Sequence, residues 1–349
     1  MGTALSERIR ILRCVLIFGI VVLHVPPYVP LAQVGPGVFD FIKAMMQHAV
    51  FRASVPVLAF ISGYLLFSQG LDRRFSELAF KKTRSLLVPL IAFNLPLAVA
   101  IWLAQTQGSL NQELSPRLHP VELQEWADGL LGLFGPPVNY PLNFLRDLFV
   151  LSMLAPIFGM LLRRAPWAGL CAVFCTFWFD LDGPIVLRGP MAVTFYLGGL
   201  AAAGNWDMHR LDRFAWPFLA LFLLLCAAVV LLEIEDRRYL RLLSPILLWP
   251  SASLLVGTAA GRLLVALSRY SFFTFLTHAP ILFALWLVYQ MSEGPYWVFW
   301  ISAPAITGLI AALVFDLSCR WMPKTMSLLT GGRAGRSSDL TRNADLASA

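Results

Sequence analysis

Apolar residues in this chain come in long blocks, and short clusters of charge, Pro and Gly separate them. The blocks cover roughly residues 9–27, 47–68, 85–104, 142–162, 166–181, 189–205, 214–233, 243–261, 270–290 and 297–318. A helix crossing a bilayer needs about 20 consecutive apolar residues. The pattern therefore predicts an all-α fold, a polytopic helical bundle of about ten transmembrane helices. The block at 243–261 is the weakest, because Pro245 and Pro250 interrupt it; such breaks are tolerated where neighbouring helices satisfy the freed backbone groups. Two connections are long, at 28–46 and 105–141, and the second is rich in Pro and polar residues. Long connections of that kind usually carry function.

Composition agrees with the pattern. Of 349 residues, 58% are hydrophobic and only 13% charged, with a mean hydropathy of +0.71. So few charges cannot cover a soluble surface, which excludes a cytosolic enzyme, a disordered chain and a secreted disulfide scaffold. The net charge of +7 points to topology and not to nucleic acid, since Lys and Arg concentrate on the cytoplasmic side of membrane proteins. With the N-terminus inside, 19 of the 27 basic residues fall on inner segments. Both termini are then cytoplasmic, in a multi-pass protein of the inner (plasma) membrane. The cluster Arg237, Arg238 and Arg241 stands out on the opposite side. The five cysteines lie in or beside apolar blocks without a ligand set around them, so no metal is expected. Residues 1–320 read as one transmembrane domain. Residues 321–349, rich in Gly, Arg, Ser and Asp, read as a disordered cytoplasmic tail.

Ionisable groups inside spans are costly and therefore mark candidate sites. They are His24, His48, Arg52, Arg146, Asp147, His278 and Asp316, with Arg13 at the inner end of the first span. Arg13 and His24 are eleven residues apart, which is about 20° beyond three helical turns and about 16 Å along the axis. They share one helix face. An Arg at one end suits phosphate, and an imidazole at the other suits general-base work. The separation is comparable with the extended pantetheine arm of coenzyme A. Spacing alone leaves open a snorkelling Arg and a hydrogen-bonded interior His.

His48 and Arg52, four apart, suit either a polar wall of an acceptor site or an interfacial anchor. Arg146 and Asp147 are adjacent and point about 100° apart on a helix, so each is expected to find its partner on another span, in a structural interhelical bridge or in a substrate contact. His278 lies near mid-span, either lining the site or bonding a neighbouring helix. Asp316 reads as structural, and Ser62-Gly63 as a close-packing point between helices. Trp126 and Tyr140, in the second long connection, could stack on sugar rings or belong to an aromatic belt.

Four segments, in order, resemble the membrane-bound acyltransferase-3 family: Arg13-x10-His24 in the first span; Arg52-Ala53-Ser54-Val55-Pro56 leading into Ser62-Gly63-Tyr64-Leu65-Leu66; Asn143-Phe144-Leu145-Arg146-Asp147-Leu148; and Ser271 through Thr277-His278. Asn143 stands where the family usually carries Trp, and Phe275 where Tyr is common. The family's cytoplasmic Arg-x-x-Arg appears here as Lys81-x-x-Arg84 in a basic loop with Lys82. The resemblance covers about residues 8–318, and the N-terminal stretch is closest to exopolysaccharide-modifying members, including the succinoglycan succinyltransferases.

The resemblance implies an O-acyltransferase with no permanently bound cofactor. It would move acetyl or succinyl from acyl-CoA, as co-substrate, to a sugar hydroxyl of a surface glycan. His24 would be the catalytic base, while Arg13, Lys81 and Arg84 would hold the donor. Arg52, Arg146 and His278 would contact substrate or the oxyanion. The partners implied are a carbohydrate acceptor and the lipid bilayer. A transporter or flippase of a lipid-linked saccharide is the alternative, disfavoured by spans almost free of carboxylates and by the lack of a visible internal repeat. A non-catalytic scaffold would tolerate alanine at both Arg13 and His24.

Overall fold

The computed structural model describes residues 2–108, 117–181, 183, 185–187 and 189–332. These residues are helical with no strand among them, as an apolar chain in lipid requires, because a helix satisfies its backbone groups internally. The elements that position the site are α1 (Thr3–Leu23), the continuous helical run α2 (Val38–Ser68), α3 (Phe75–Thr106), α4 (Leu123–Leu131), α5 (Asn143–Met153), α6 (Ala155–Arg164), α7 (Pro166–Trp178), α8 (Pro190–Ala203), α9 (Ala215–Leu231), α10 (Arg238–Ser251), α11 (Ala259–Gln290), α12 (Tyr296–Trp321) and α13 (Pro323–Leu329).

Each of the ten apolar blocks carries a helix, but the helices are unequal. Five of them, α2, α3, the α9 run from Asp212, α11 and α12, are long and apolar enough to cross a membrane; the bent pair α5–α6, with 53° between its halves, makes six. Helices α7 and α8 are shorter. Helix α1 is long, but Arg8, Arg10 and Arg13 lower its apolarity. The block at 243–261 divides, but not at its prolines: α10 runs through Pro245 and Pro250 to Ser251, and a turn separates it from the start of α11 at Ala259.

The tightest pairing is α2 against α8, and glycine makes it possible. A Cβ at Gly63 would sit 2.0 Å from the Phe195 carbonyl oxygen, and one at Gly198 would sit 2.1 Å from that of Phe60. Backbone thus meets backbone across the interface, as the sequence predicts for Ser62-Gly63. Helix α1 packs mainly on α11, and α11 in turn on α12. The main core runs through α1, α2, α5, α6 and α8. A second cluster of Val21, Val22, Val25, Leu282, Phe299 and Trp300 holds the C-terminal end of α1 between α11 and α12.

The opposite end of α1 is stitched by polar contacts. Arg8 is buried, donating to both carboxylate oxygens of Asp212 (2.9 and 2.5 Å) and to the Met208 carbonyl (3.1 Å). The beginning of the expected tail is folded. Helix α13 starts on Pro323, a residue suited to a first helical turn, and buries Met326 against Phe273, Ala311 and Phe315. Residues 333–349 of that tail lie outside the described residues.

Candidate functional site

His24 is the residue that ends α1. Val25-Pro26-Pro27 follows it and cannot continue the helix, so the imidazole stands at the rim of the bundle's interior. The last carbonyls of a helix lack intrahelical partners. Here two side chains from other elements take them. Gln47, itself 1% exposed, donates to Val22 (3.3 Å) and Val25 (2.9 Å), and the Tyr296 hydroxyl donates to Pro26 (3.0 Å). The turn bearing His24 is therefore pinned from both sides.

The tautomer of His24 follows from its partner. Nδ1 lies 2.7 Å from the Ile20 carbonyl, which can only accept, so Nδ1 carries the proton and Nε2 the lone pair. The same logic applies to His278, whose Nδ1 donates to Phe275 at 2.8 Å. His278 is fully buried, its Nε2 has no hydrogen-bond partner among the described residues, and its ring centre is 5.2 Å from that of His24. The two imidazoles, far apart in sequence, meet because α1 lies along α11.

His24 lines a cavity of about 540 Å³ at this end of the bundle, within the size range of ligand sites. Its wall combines Ile20, Phe144 and Phe275 with Arg52, Tyr140 and a charged segment from Glu235 to Arg241. The Tyr140 ring lies 6.4 Å from that of His24. In the charged segment, Asp236 accepts from the backbone N–H of Arg238 (3.0 Å) and from its Nε (3.2 Å). That backbone bond first, and then the charges of Arg238 and Arg241, hold its carboxyl below the usual range.

Arg52 lines the same cavity as His24. Its Nε donates to the Gln47 carbonyl (3.0 Å), and its guanidinium lies 5.5 Å from the centre of the Tyr28 ring. The Gln47 carbonyl is available because α2 is irregular here, with a π-helical turn over Met45–Ala49 and a 3-10 turn over Val50–Ala53. Such turns inside long helices often occur at functional sites. His48, in the same turn, is buried in a structural role: its Nε2 donates to Val29 (2.8 Å), and Nδ1 accepts from Tyr28 (3.3 Å).

Arg13 occupies a different environment. It is accessible and, among the described residues, forms no hydrogen bond or ion pair. It is not among the residues lining the His24 cavity. Buried Leu16 and Ile20 and half-buried Ile17 stand between the two along α1. The expected basic loop is instead part of helix: Lys81 and Lys82 end one α-helical segment, and Arg84 sits in the following π-helical turn at Thr83–Leu87. Lys81 pairs with Glu77 at 2.5 Å, whereas Arg84 is exposed and without such a partner among the described residues.

Arg146 is held within the protein. It does not line the cavity, and its nitrogens are used inside the protein. Nε donates to Gly132 (2.9 Å), and Nη1 to Ile185 (2.5 Å) and to Asp147 (2.9 Å). The expectation that Arg146 and Asp147 cannot pair fails because the long Arg side chain reaches across the 100° between them. Asp147, fully buried, also accepts from the Leu187 backbone N–H at 3.2 Å. This pair therefore holds the connections around Gly132 and Ile185–Leu187 onto α5. Asp316 is structural, bound by Tyr270 (2.7 Å) and Arg269 (3.2 Å), as expected. Trp126 donates to Leu118 (3.1 Å) away from the cavity.

Sequence reasoning missed Gln47. A buried amide inside an apolar run was its only signal.

The chain matches the family described as "Acyltransferase domain" over residues 6–319. It is similar to the succinoglycan biosynthesis protein ExoH of Rhizobium meliloti (strain 1021), with 31% identity over 353 residues, covering 96% of this chain and 94% of that protein. No solved structure matches it. A family match over nearly its whole length, with a relative 31% identical over 96% of the chain, establishes that the chain belongs to the membrane-bound acyltransferase-3 family.

Proposed function

We propose that this protein transfers an acyl group, acetyl or succinyl, from acyl-CoA to a sugar hydroxyl of an exopolysaccharide or its precursor. In this reading the bundle crosses the inner membrane ten times with both termini in the cytoplasm. Similarity to a succinoglycan biosynthesis protein supports the glycan acceptor. The observation that carries the reaction is the state of His24: Nδ1 is committed to the Ile20 carbonyl, so the ring presents its basic nitrogen in a cavity with room for a ligand.

The chemistry then follows. Nε2 of His24 takes the proton of the acceptor hydroxyl as its oxygen attacks the thioester carbonyl carbon. A tetrahedral intermediate forms, and Arg52, in the same wall, offsets its developing negative charge in a site of low dielectric. The intermediate collapses with cleavage of the C–S bond. The departing coenzyme A thiolate takes the proton back from the imidazolium, giving the ester and the free thiol. Arg13 would take the donor's phosphates, since a guanidinium without a hydrogen bond or ion pair among the described residues is best satisfied by an anion. Arg84 is available in the same way. The pantetheine arm would run along the α1 stripe past Ile17 and Ile20, displacing those side chains.

The test uses membranes supplied with acyl-CoA labelled in the acyl group, and label in polysaccharide is measured. His24→Ala should reduce incorporation by a factor of about 10² or more, with protein level and thermal stability unchanged. Near wild-type incorporation by this variant would refute the reading.

A further inference from the structure

The segment entering α10 places Arg237, Arg238 and Arg241 at the helix's N-terminal end. Cations there oppose the helix dipole, whose positive end lies at the same place. All three line the cavity that holds His24. Three acids, Asp180, Glu235 and Asp236, share that wall with Arg52 and the three arginines, and Asp236 is bound to Arg238. Arg238 also lies 5.7 Å from the centre of the Trp178 ring, which fixes its orientation. Arg237 differs. It is only partly exposed, its Nε is sealed from solvent without a hydrogen-bond partner, and among the described residues it makes no ion pair. A guanidinium that lines the cavity beside two further arginines, with one N–H already unmatched among the described residues, is a place where an anion would supply missing acceptors.

We propose that Arg237, with Arg238 and Arg241 beside it, forms a subsite for an anionic group, a carboxylate or a phosphate, on the acceptor saccharide. The proposal rests on the reading of this cavity as the acceptor site and adds the charge of the acceptor to it. The geometry also explains why these cations gather at this end of the bundle. Their combined field draws an acidic saccharide into the cavity, while Asp236 limits the site to one anion by engaging Arg238. In this reading Arg52, on α2, serves the reacting carbonyl.

The test is binding of defined probes to the full-length protein in nanodiscs, measured by calorimetry. The probes are cellotetraose, cellotetraose ending in glucuronate and cellotetraose 6-phosphate. Wild type should bind at least one charged probe about tenfold tighter than the neutral one at low salt, and about 0.5 M NaCl should remove most of that advantage. The probe that shows the preference identifies the anion as carboxylate or phosphate. Arg237→Gln should abolish the preference while leaving the neutral probe's affinity within about twofold, and Arg237→Lys should retain part of it, since charge without the planar fork remains. Equal binding of all three probes by wild type overturns the proposal, as does a preference that survives in monodisperse Arg237→Gln. Because the readout is binding, a failure of the His24 mechanism would appear separately, as transfer that does not need His24.

Discussion

Gln47 holds the turn that carries His24, so replacing it should injure catalysis from outside the reacting groups. Gln47→Leu keeps the approximate volume and removes two donated hydrogen bonds, to Val22 at 3.3 Å and Val25 at 2.9 Å. Val22 still accepts the Val25 backbone N–H at 3.3 Å, so one carbonyl, that of Val25, loses its donor in a buried place. Leaving one buried acceptor unmatched costs about 1–3 kcal/mol, and the apolar replacement returns some of this by removing a buried amide. The net loss in stability should be near the lower end. The catalytic effect should be larger in proportion, because a shift of about 1 Å in a reacting group can cost about 10²-fold in rate. Gln47→Glu is the control of matching shape that cannot donate when ionised. Labelled acyl transfer, run beside thermal unfolding of the purified protein, gives both quantities. A Gln47→Leu protein with wild-type kcat and wild-type unfolding would refute the reasoning, as would one whose activity falls only in step with the folded fraction.

The other expectations are brief. Arg13→Gln should raise the KM for acyl-CoA about tenfold without lowering the unfolding temperature, because Arg13 has no hydrogen bond or ion pair to lose among the described residues; steady-state kinetics and a melting curve check both. Arg146→Ala should lose about 3–5 kcal/mol by removing one member of a buried ion pair and the donor to the Gly132 carbonyl, seen as failure to accumulate in membranes, whereas Arg52→Ala should accumulate and lose activity. Gly63→Ala places a methyl 2.0 Å from the Phe195 carbonyl oxygen and should cost about 1–3 kcal/mol or more through strained α2–α8 packing, read as a lower melting temperature in detergent.

Some of this was legible in the sequence because it depends on local periodicity alone. Apolar blocks must become helices in lipid, and Arg13 and His24 share a stripe because eleven residues nearly complete three turns. Ser62-Gly63 marked a close crossing because only small residues allow one. What the sequence concealed depends on contacts between distant segments or on local departures from helical geometry. His278 and Phe275 reach His24 only because α11 lies along α1. Arg146 read as a substrate contact because an intramembrane cation is costly, and the carbonyls that compensate it belong to connections with no sequence signature. The i, i+4 argument for His48 and Arg52 assumed a regular helix, and the π-helical and 3-10 turns change which groups face the cavity. The arginines at 237, 238 and 241 were visible as an exception to the charge asymmetry, but only the fold shows that they share a wall with His24.

The most direct measurement is a cryo-EM structure of the protein with a non-hydrolysable acyl-CoA analogue in which carbon replaces the thioester sulfur. The account predicts the nucleotide phosphates on Arg13 and the pantetheine arm along α1, with Ile17 and Ile20 moved aside. The acyl carbonyl carbon should lie within about 5 Å of His24 Nε2, close enough for one hydroxyl oxygen to touch both. A donor bound with its acyl end outside the His24 cavity, or with its phosphates on a surface that excludes Arg13, would contradict it.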